Sequence, residues 1–128
     1  LVGGTGAVKP AVEEQLRATG RDVVRLAGAS RFDTSVLTAI EAFGSTGVDY
    51  AVLAYGYNFP DGLCAGPLAY ALGAPLILTA NGDESAAVEY ATAAGVESGF
   101  VLGGPSLIDD TVTKAIFSMG ADDSIIWN

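Results

Sequence analysis

Gly56-Tyr57-Asn58-Phe59-Pro60-Asp61-Gly62-Leu63-Cys64-Ala65-Gly66-Pro67, running on to Gly73-Ala74-Pro75-Leu76-Ile77-Leu78-Thr79, reads as the end of a strand, a polar turn, a helix, a Gly-Ala-Pro turn and a buried strand. Tyr50–Ala54, just before it, is an apolar run without polar alternation, as in a strand covered on both faces. Pro60 suits the first helical position, where its missing N–H costs nothing. Pro67 lies inside the same helix and predicts a kink or a split. Cys64, among apolar neighbours with no base nearby, reads as a small buried side chain.

Working outward, strand and helix alternate with short connections. Leu1–Gly4 reads as a strand ending in a turn, followed by a helix from Pro10 with Val8, Val12 and Leu16 on one stripe and Gly20 as its stop. Val23–Leu26 is the next strand. Asp33 is the expected N-cap of a helix through Phe43 whose inner face is Val36, Leu37, Ile40 and Phe43. A helix from Glu84 to Ala94, a strand over Gly99–Leu102, a helix opened by Asp109-Asp110 with Ile108, Val112, Ile116 and Met119 inward, and a strand over Ser124–Trp127 complete the chain. This order predicts the α/β class: a parallel sheet covered by helices on both faces, in three layers like a Rossmann fold.

The two ends match at a constant offset of one hundred positions. Gly3 and Gly4 fall on Gly103 and Gly104, Val8 on Ile108, Val12 on Val112, Leu16 on Ile116 and Gly20 on Gly120. Glycines and apolar positions coincide while surface positions differ. The expected organisation is a tandem array cut out of phase. Residues 1–28 would be the C-terminal part of one repeat, packed as the first strands and helix of the domain, and residues 29–128 nearly a whole second repeat.

The 128 residues are half apolar, 16% charged and carry a net charge of −9. Six scattered cations form no patch of the kind that neutralises phosphates, which argues against nucleic acid as a partner. No apolar run reaches the roughly 18–20 residues that span a bilayer, so membrane insertion is not expected. With one cysteine, no intrachain disulfide can form. The chain has no histidine, which removes His-activated nucleophiles, His ligands and a His general base. Gly3-Gly4-Thr5-Gly6 lacks the third glycine of a dinucleotide fingerprint. Asp109-Asp110 and Asp122-Asp123 read as helix-start charge rather than metal ligands. No metal or cofactor is expected.

The candidate binding residues lie where a parallel sheet gathers its loops, at the strand C-termini. Tyr57, Asn58 and Phe59 form an aromatic-plus-amide set suited to sugar rings. Asp61 either meets ligand hydroxyls or Arg31, or simply stabilises the start of its helix. Arg25 and Arg31 offer forked guanidinium groups for phosphate or carboxylate, or alternatively pair with Asp33 or Asp61. Pro75, Leu76, Ile77 and Leu78 read by themselves as a buried strand.

Arg25-Leu26-Ala27-Gly28-x-x-Arg31-Phe32-x-Thr34, Gly56-x-x-Phe59-Pro60-Asp61-Gly62-Leu63, Gly66-Pro67-Leu68-Ala69, Ala74-Pro75-Leu76-Ile77-Leu78-Thr79 and Val101-Leu102-Gly103-Gly104 occur in this order. Together they resemble the cell wall-binding repeat 2 family across essentially the whole chain. The resemblance implies a Toprim-like module, often in tandem triplets, in secreted and S-layer proteins of Gram-positive bacteria. It implies non-covalent, non-catalytic anchoring at the cell surface, with an anionic cell-wall polymer and neighbouring repeats, in a trimeric arrangement, as partners. It also makes Pro75–Leu78, the counterpart of a Pro-Ile-Leu-Leu motif with the branched residues reordered, part of the polymer site. Two other readings compete: an α/β hydrolase or nucleotide-dependent enzyme, and a purely structural packing repeat.

Overall fold

The computed structural model describes residues 1–126. Its elements are α1 (Pro10–Arg17), α2 (Arg31–Phe43), β1 (Tyr50–Tyr55), α3 (Pro60–Leu72), β2 (Leu76–Thr79), α4 (Ser85–Ala94), β3 (Ser98–Leu102) and α5 (Asp110–Ile116). The strands form one parallel sheet in the order β2-β1-β3, with Leu53 opposite Ile77 on one side and Val101 on the other. Central β1 divides its side chains by strand alternation. Ala51 and Leu53 enter the larger core with Ile77, α4 and α5, whereas Val52 and Ala54 meet Ala65 and Ala69 of α3 in a smaller one. The expected helix-covered parallel sheet is present.

Helix α2 borders the free side of β2, where the Ser35 hydroxyl accepts a hydrogen bond from the Leu78 N–H at 3.0 Å. A hydroxyl thus occupies one of the donors that an edge strand leaves open. At the C-terminal end of the sheet, Asn81 ties two loops together: its Oδ1 accepts from the Asp109 N–H at 2.8 Å and its N–H donates to the Leu107 carbonyl at 3.1 Å.

Several expectations are corrected. Leu1–Gly4 and Val23–Leu26 do not join the sheet; they meet each other in a single parallel bridge, Val2 to Leu26. Ser124–Ile126 form no strand, and Trp127, the expected end of that strand, lies outside the described residues. Helix α3 runs unbroken through Pro67. The carbonyl deprived of its N–H partner belongs to Leu63, and both residues are exposed, so water can serve it. Cys64 is exposed rather than buried, because α3 approaches the sheet through Ala65 and Ala69. In α2 the buried residues are Phe32 and Ala39, while Leu37, Ile40 and Phe43 stay 37–41% exposed. The helix turns Phe32 and Ala39 inward, and of the expected stripe only Val36 packs against the core.

The helix also begins earlier than expected. The N-cap is Ser30, three residues before the expected Asp33. The Ser30 hydroxyl accepts from the N–H groups of Phe32 and Asp33, and the Asp33 carboxylate accepts from the Ser30 N–H at 2.8 Å. This is a reciprocal capping box with Asp in the usual Glu position. The Ser30 hydroxyl, then its backbone N–H, hold the Asp33 carboxyl below the ordinary Asp range. A carboxyl depressed in the folded state stabilises the fold fully above its unfolded value near pH 3.9, and that contribution is lost as the pH falls through the folded value. Asp33→Asn is therefore expected to flatten the fall of Tm as the pH drops below about 4. Thermal unfolding of both proteins across that window checks it, and parallel curves would refute it.

Candidate functional site

The capping box places Arg31 in the first turn of α2, at the C-terminal end of β1. Two glycines make this approach possible. A Cβ on Gly28 would stand 2.2 Å from that of Asp33, and one on Gly56 would stand 2.3 Å from the Phe32 ring. With those atoms absent, Phe32 seats under Gly56, and the Arg31 Nη1 donates to the Gly56 carbonyl at 3.0 Å. The guanidinium lies 5.5 Å from the centre of the Tyr57 ring, within cation–π range.

Tyr57 is held from three sides. Phe32 meets it edge-on at 5.3 Å and Tyr55 lies tilted at 5.8 Å. Its hydroxyl donates to Asp83 in the turn after β2. That carboxylate first, and desolvation second, push the phenol above its ordinary value and keep it protonated. Asn58 accepts from the N–H of Phe59 through its side-chain oxygen at 2.9 Å. Phe59 is 72% exposed and Leu63 68%.

Two clefts meet at Arg31 and Leu78. One, of about 660 Å³, runs between the loop over residues 2–7, α2 and the edge of β2, with Pro75, Leu76, Leu78, Thr38 and Phe43 among its walls. The other, of about 500 Å³, is formed by Gly56-Tyr57-Asn58-Phe59 and the first turn of α3. Among the described residues lining either cleft, Arg31 is the only charged one. The arrangement offers a cation with donors to spare, flanked by aromatic faces and an apolar floor. It suits a ligand that alternates anionic groups with sugar rings.

The structure therefore gathers Arg31, Tyr57, Asn58, Phe59, Pro75, Leu76 and Leu78. It sets three other candidates apart. Ile77 points to the opposite side of β2 and is fully buried in the larger core. Asp61 lines a separate cleft of about 950 Å³ along β3, near Gly103, and does not meet Arg31. Arg25 is spent on structure: its Nε donates to Glu13 on α1 at 2.8 Å and its Nη1 to the Gly3 carbonyl at 2.6 Å. Its partner is neither of the aspartates weighed from the sequence.

Sequence reasoning missed the loop over residues 2–7 as a cleft wall, Asp83 as the anchor of Tyr57, and Ser35. The Ser30-x-x-Asp33 spacing would have revealed the cap and hence the placement of Arg31. The Asp83 contact, 26 residues from Tyr57, has no local signature.

Residues 25–113 match the model of cell wall binding domain 2 (CWB2). The chain is 33% identical over 113 residues to the N-acetylmuramoyl-L-alanine amidase LytC of Bacillus subtilis, an alignment covering 88% of this chain and 22% of LytC. It is 33% identical over 79 residues to an uncharacterized protein of Pyrococcus horikoshii, covering 62% of this chain and 24% of that protein. The solved structure of Cwp8 from Clostridium difficile superposes with a TM-score of 0.74 at 28% identity, over 90% of this chain and 19% of that one. The chain thus spans about a quarter or less of each of these relatives.

Proposed function

Since this chain belongs to the cell wall binding domain 2 family and is a cell wall binding module, we propose that its ligand is an anionic secondary polymer of the wall, held in the paired clefts around Arg31. The observation that carries this reading is the isolation of Arg31. The molecule as a whole is strongly acidic, yet no carboxylate lines either cleft beside that guanidinium. The Asp83 carboxylate is engaged by the Tyr57 hydroxyl, and more distant aspartates and glutamates are screened beyond about 8–10 Å at moderate salt, so the local cation decides the sign at the cleft. Tyr57 and Phe59 offer faces to sugar rings, and the Asn58 amide offers donors to hydroxyls.

The binding is non-covalent and non-catalytic. The chain has no histidine, and the groups at the cleft bind and orient rather than activate a nucleophile. The family places the module at the cell wall, and no helix among the described residues is long and apolar enough to cross a membrane. One module with one arginine gives weak attachment. Neighbouring repeats, in a trimeric arrangement, would present several such clefts along one polymer and raise retention without a new kind of contact.

Sedimentation with purified Gram-positive walls tests the reading. The chain is expected to pellet with intact walls at low salt, to remain in solution once the anionic polymer is stripped from them, and to be released as ionic strength rises from about 0.01 to 0.5 M. Equal pelleting with stripped walls, or none with intact walls, would overturn it.

A further inference from the structure

The hundred-residue match is also a match of geometry. Gly3 and Gly103 both take the positive-φ backbone, at 116° and 130°. The Gly4 carbonyl accepts from the N–H groups of Ala7 and Val8, and the Gly104 carbonyl from those of Leu107 and Ile108. Helices α1 and α5 then begin at Pro10 and Asp110.

Burial is where the two copies part. In the second, Ile108 and Ile116 are fully buried and Val112 is 6% exposed. In the first, α1 has no buried residue, and Val12 and Leu16 are each 41% exposed. The unit is nevertheless tied together. Gly3 N–H donates to the Leu26 carbonyl and Leu26 N–H to the Leu1 carbonyl, each at 2.8 Å, while Glu13 bridges Arg25 and Arg17. It is an ordered unit of a helix between two bridged segments, and its apolar face is left partly open by the described residues.

From this we infer that residues 1–28 are the closing element of another module of the same kind, and that α1 docks through Val8, Val12 and Leu16 on that module's sheet and helix surface. The occupant is specified by the copy that is complete. Here Val112 and Ile116 of α5 pack against α4 and share the larger core with Leu53 and Ile77 of the sheet and with Ala87, Ala91 and Ala94 of α4. A surface of that composition, lacking its own closing helix, fits α1. A second copy of this chain does not offer one, because its α5 already occupies the place. The wall of the larger cleft made by Val2, Gly3, Gly4 and Ala7 would then belong to a neighbouring module, placing that cleft at a junction between modules.

The register dictates the test, which needs no polymer. Because residue 101 corresponds to residue 1, a copy of residues 25–100 fused directly ahead of Leu1 should supply the missing body. In a Cys64→Ser background, the thiol of Leu16→Cys should react readily in the 128-residue chain and at least about tenfold more slowly in the fusion. Ile116→Cys marks the protected limit in both proteins. As a second readout, Leu16→Asp should leave the Tm of the 128-residue chain within about 2 °C and lower that of the fusion clearly. A thiol equally open in the fusion, whether the added body folds apart or fails to fold, overturns the inference, as does a fusion indifferent to Leu16→Asp.

Discussion

Gly99→Ala should destabilise the module by at least about 3 kcal/mol, lowering Tm by roughly 10 °C or preventing folding. Gly99 is itself half-buried on the edge strand β3, but in the β1–β3 ladder it lies opposite the fully buried Ala51 of the central strand β1. A Cβ there would stand 1.9 Å from the Ala51 carbonyl oxygen and 2.9 Å from both the Ala51 carbonyl carbon and the Phe117 ring. The first obstacle is backbone, so no rotamer change relieves it. Either the ladder opens, costing hydrogen bonds in a buried strand, or Phe117 and β3 shift and leave a void in the larger core. Gly66→Ala is the matched comparison. Gly66 is inside α3, and an added methyl there would find nothing within 4 Å, so the same substitution should stabilise by about 0.5–1 kcal/mol through helix propensity. Denaturant unfolding of the two variants should give opposite signs, and a Gly99→Ala protein as stable as the parent would refute the account of the sheet.

The contrast between these glycines shows where the sequence speaks and where it does not. Alternation, apolar runs and helix stops gave β1, β2, β3 and all five helices to within a few residues, because each is specified by its own neighbours. Reading Gly99 as only the start of a strand could not disclose that Ala51, 48 positions earlier, needs the space. The same limit explains α2. Val36, Leu37, Ile40 and Phe43 are the larger apolar residues and look like its buried stripe. Of these only Val36 packs against the core; Phe32 and Ala39 are the buried residues, and the same face sets Ser35 against the Leu78 N–H, while Leu37, Ile40 and Phe43 stay outside. Cys64 misled for a related reason: α3 is apolar on nearly every side, and only the tight fit of Ala65 and Ala69 against Val52 and Ala54 decides which side is covered.

The site was legible in its parts rather than its grouping. Tyr57, Asn58 and Phe59 follow from the rule that parallel strands deliver loops to one end of the sheet. That Arg31 and not Arg25 faces them depends on Glu13, which lies outside the matched family region and takes Arg25 into an internal ion pair. Among Pro75–Leu78, strand alternation separates Leu76 and Leu78, which face the cleft, from Ile77, which faces the core.

Replacing Arg31 should therefore weaken retention on polymer-bearing walls far more than any other single change at the clefts. A hydrogen bond to a charged group contributes about 1.5–3 kcal/mol, so Arg31→Ala is expected to cost about tenfold to a hundredfold in apparent affinity. Arg31→Lys keeps the charge but loses the planar fork and the stacking on Tyr57, and should fall between the two. The fold should be almost indifferent. Arg31 is exposed, the Gly56 carbonyl that accepts from it can accept from water instead, and Tyr57 keeps Phe32, Tyr55 and Asp83 as partners. Asp61→Ala separates this site from the cleft along β3: if the polymer lies around Arg31, removing Asp61 leaves wall binding unchanged, whereas a ligand along β3 would respond to Asp61 and not to Arg31. Wall sedimentation at fixed low salt, with Tm measured on the same preparations, distinguishes the outcomes. Undiminished binding by a folded Arg31→Ala protein would remove the guanidinium from the site and leave the aromatic faces of Tyr57 and Phe59 to account for the polymer by themselves.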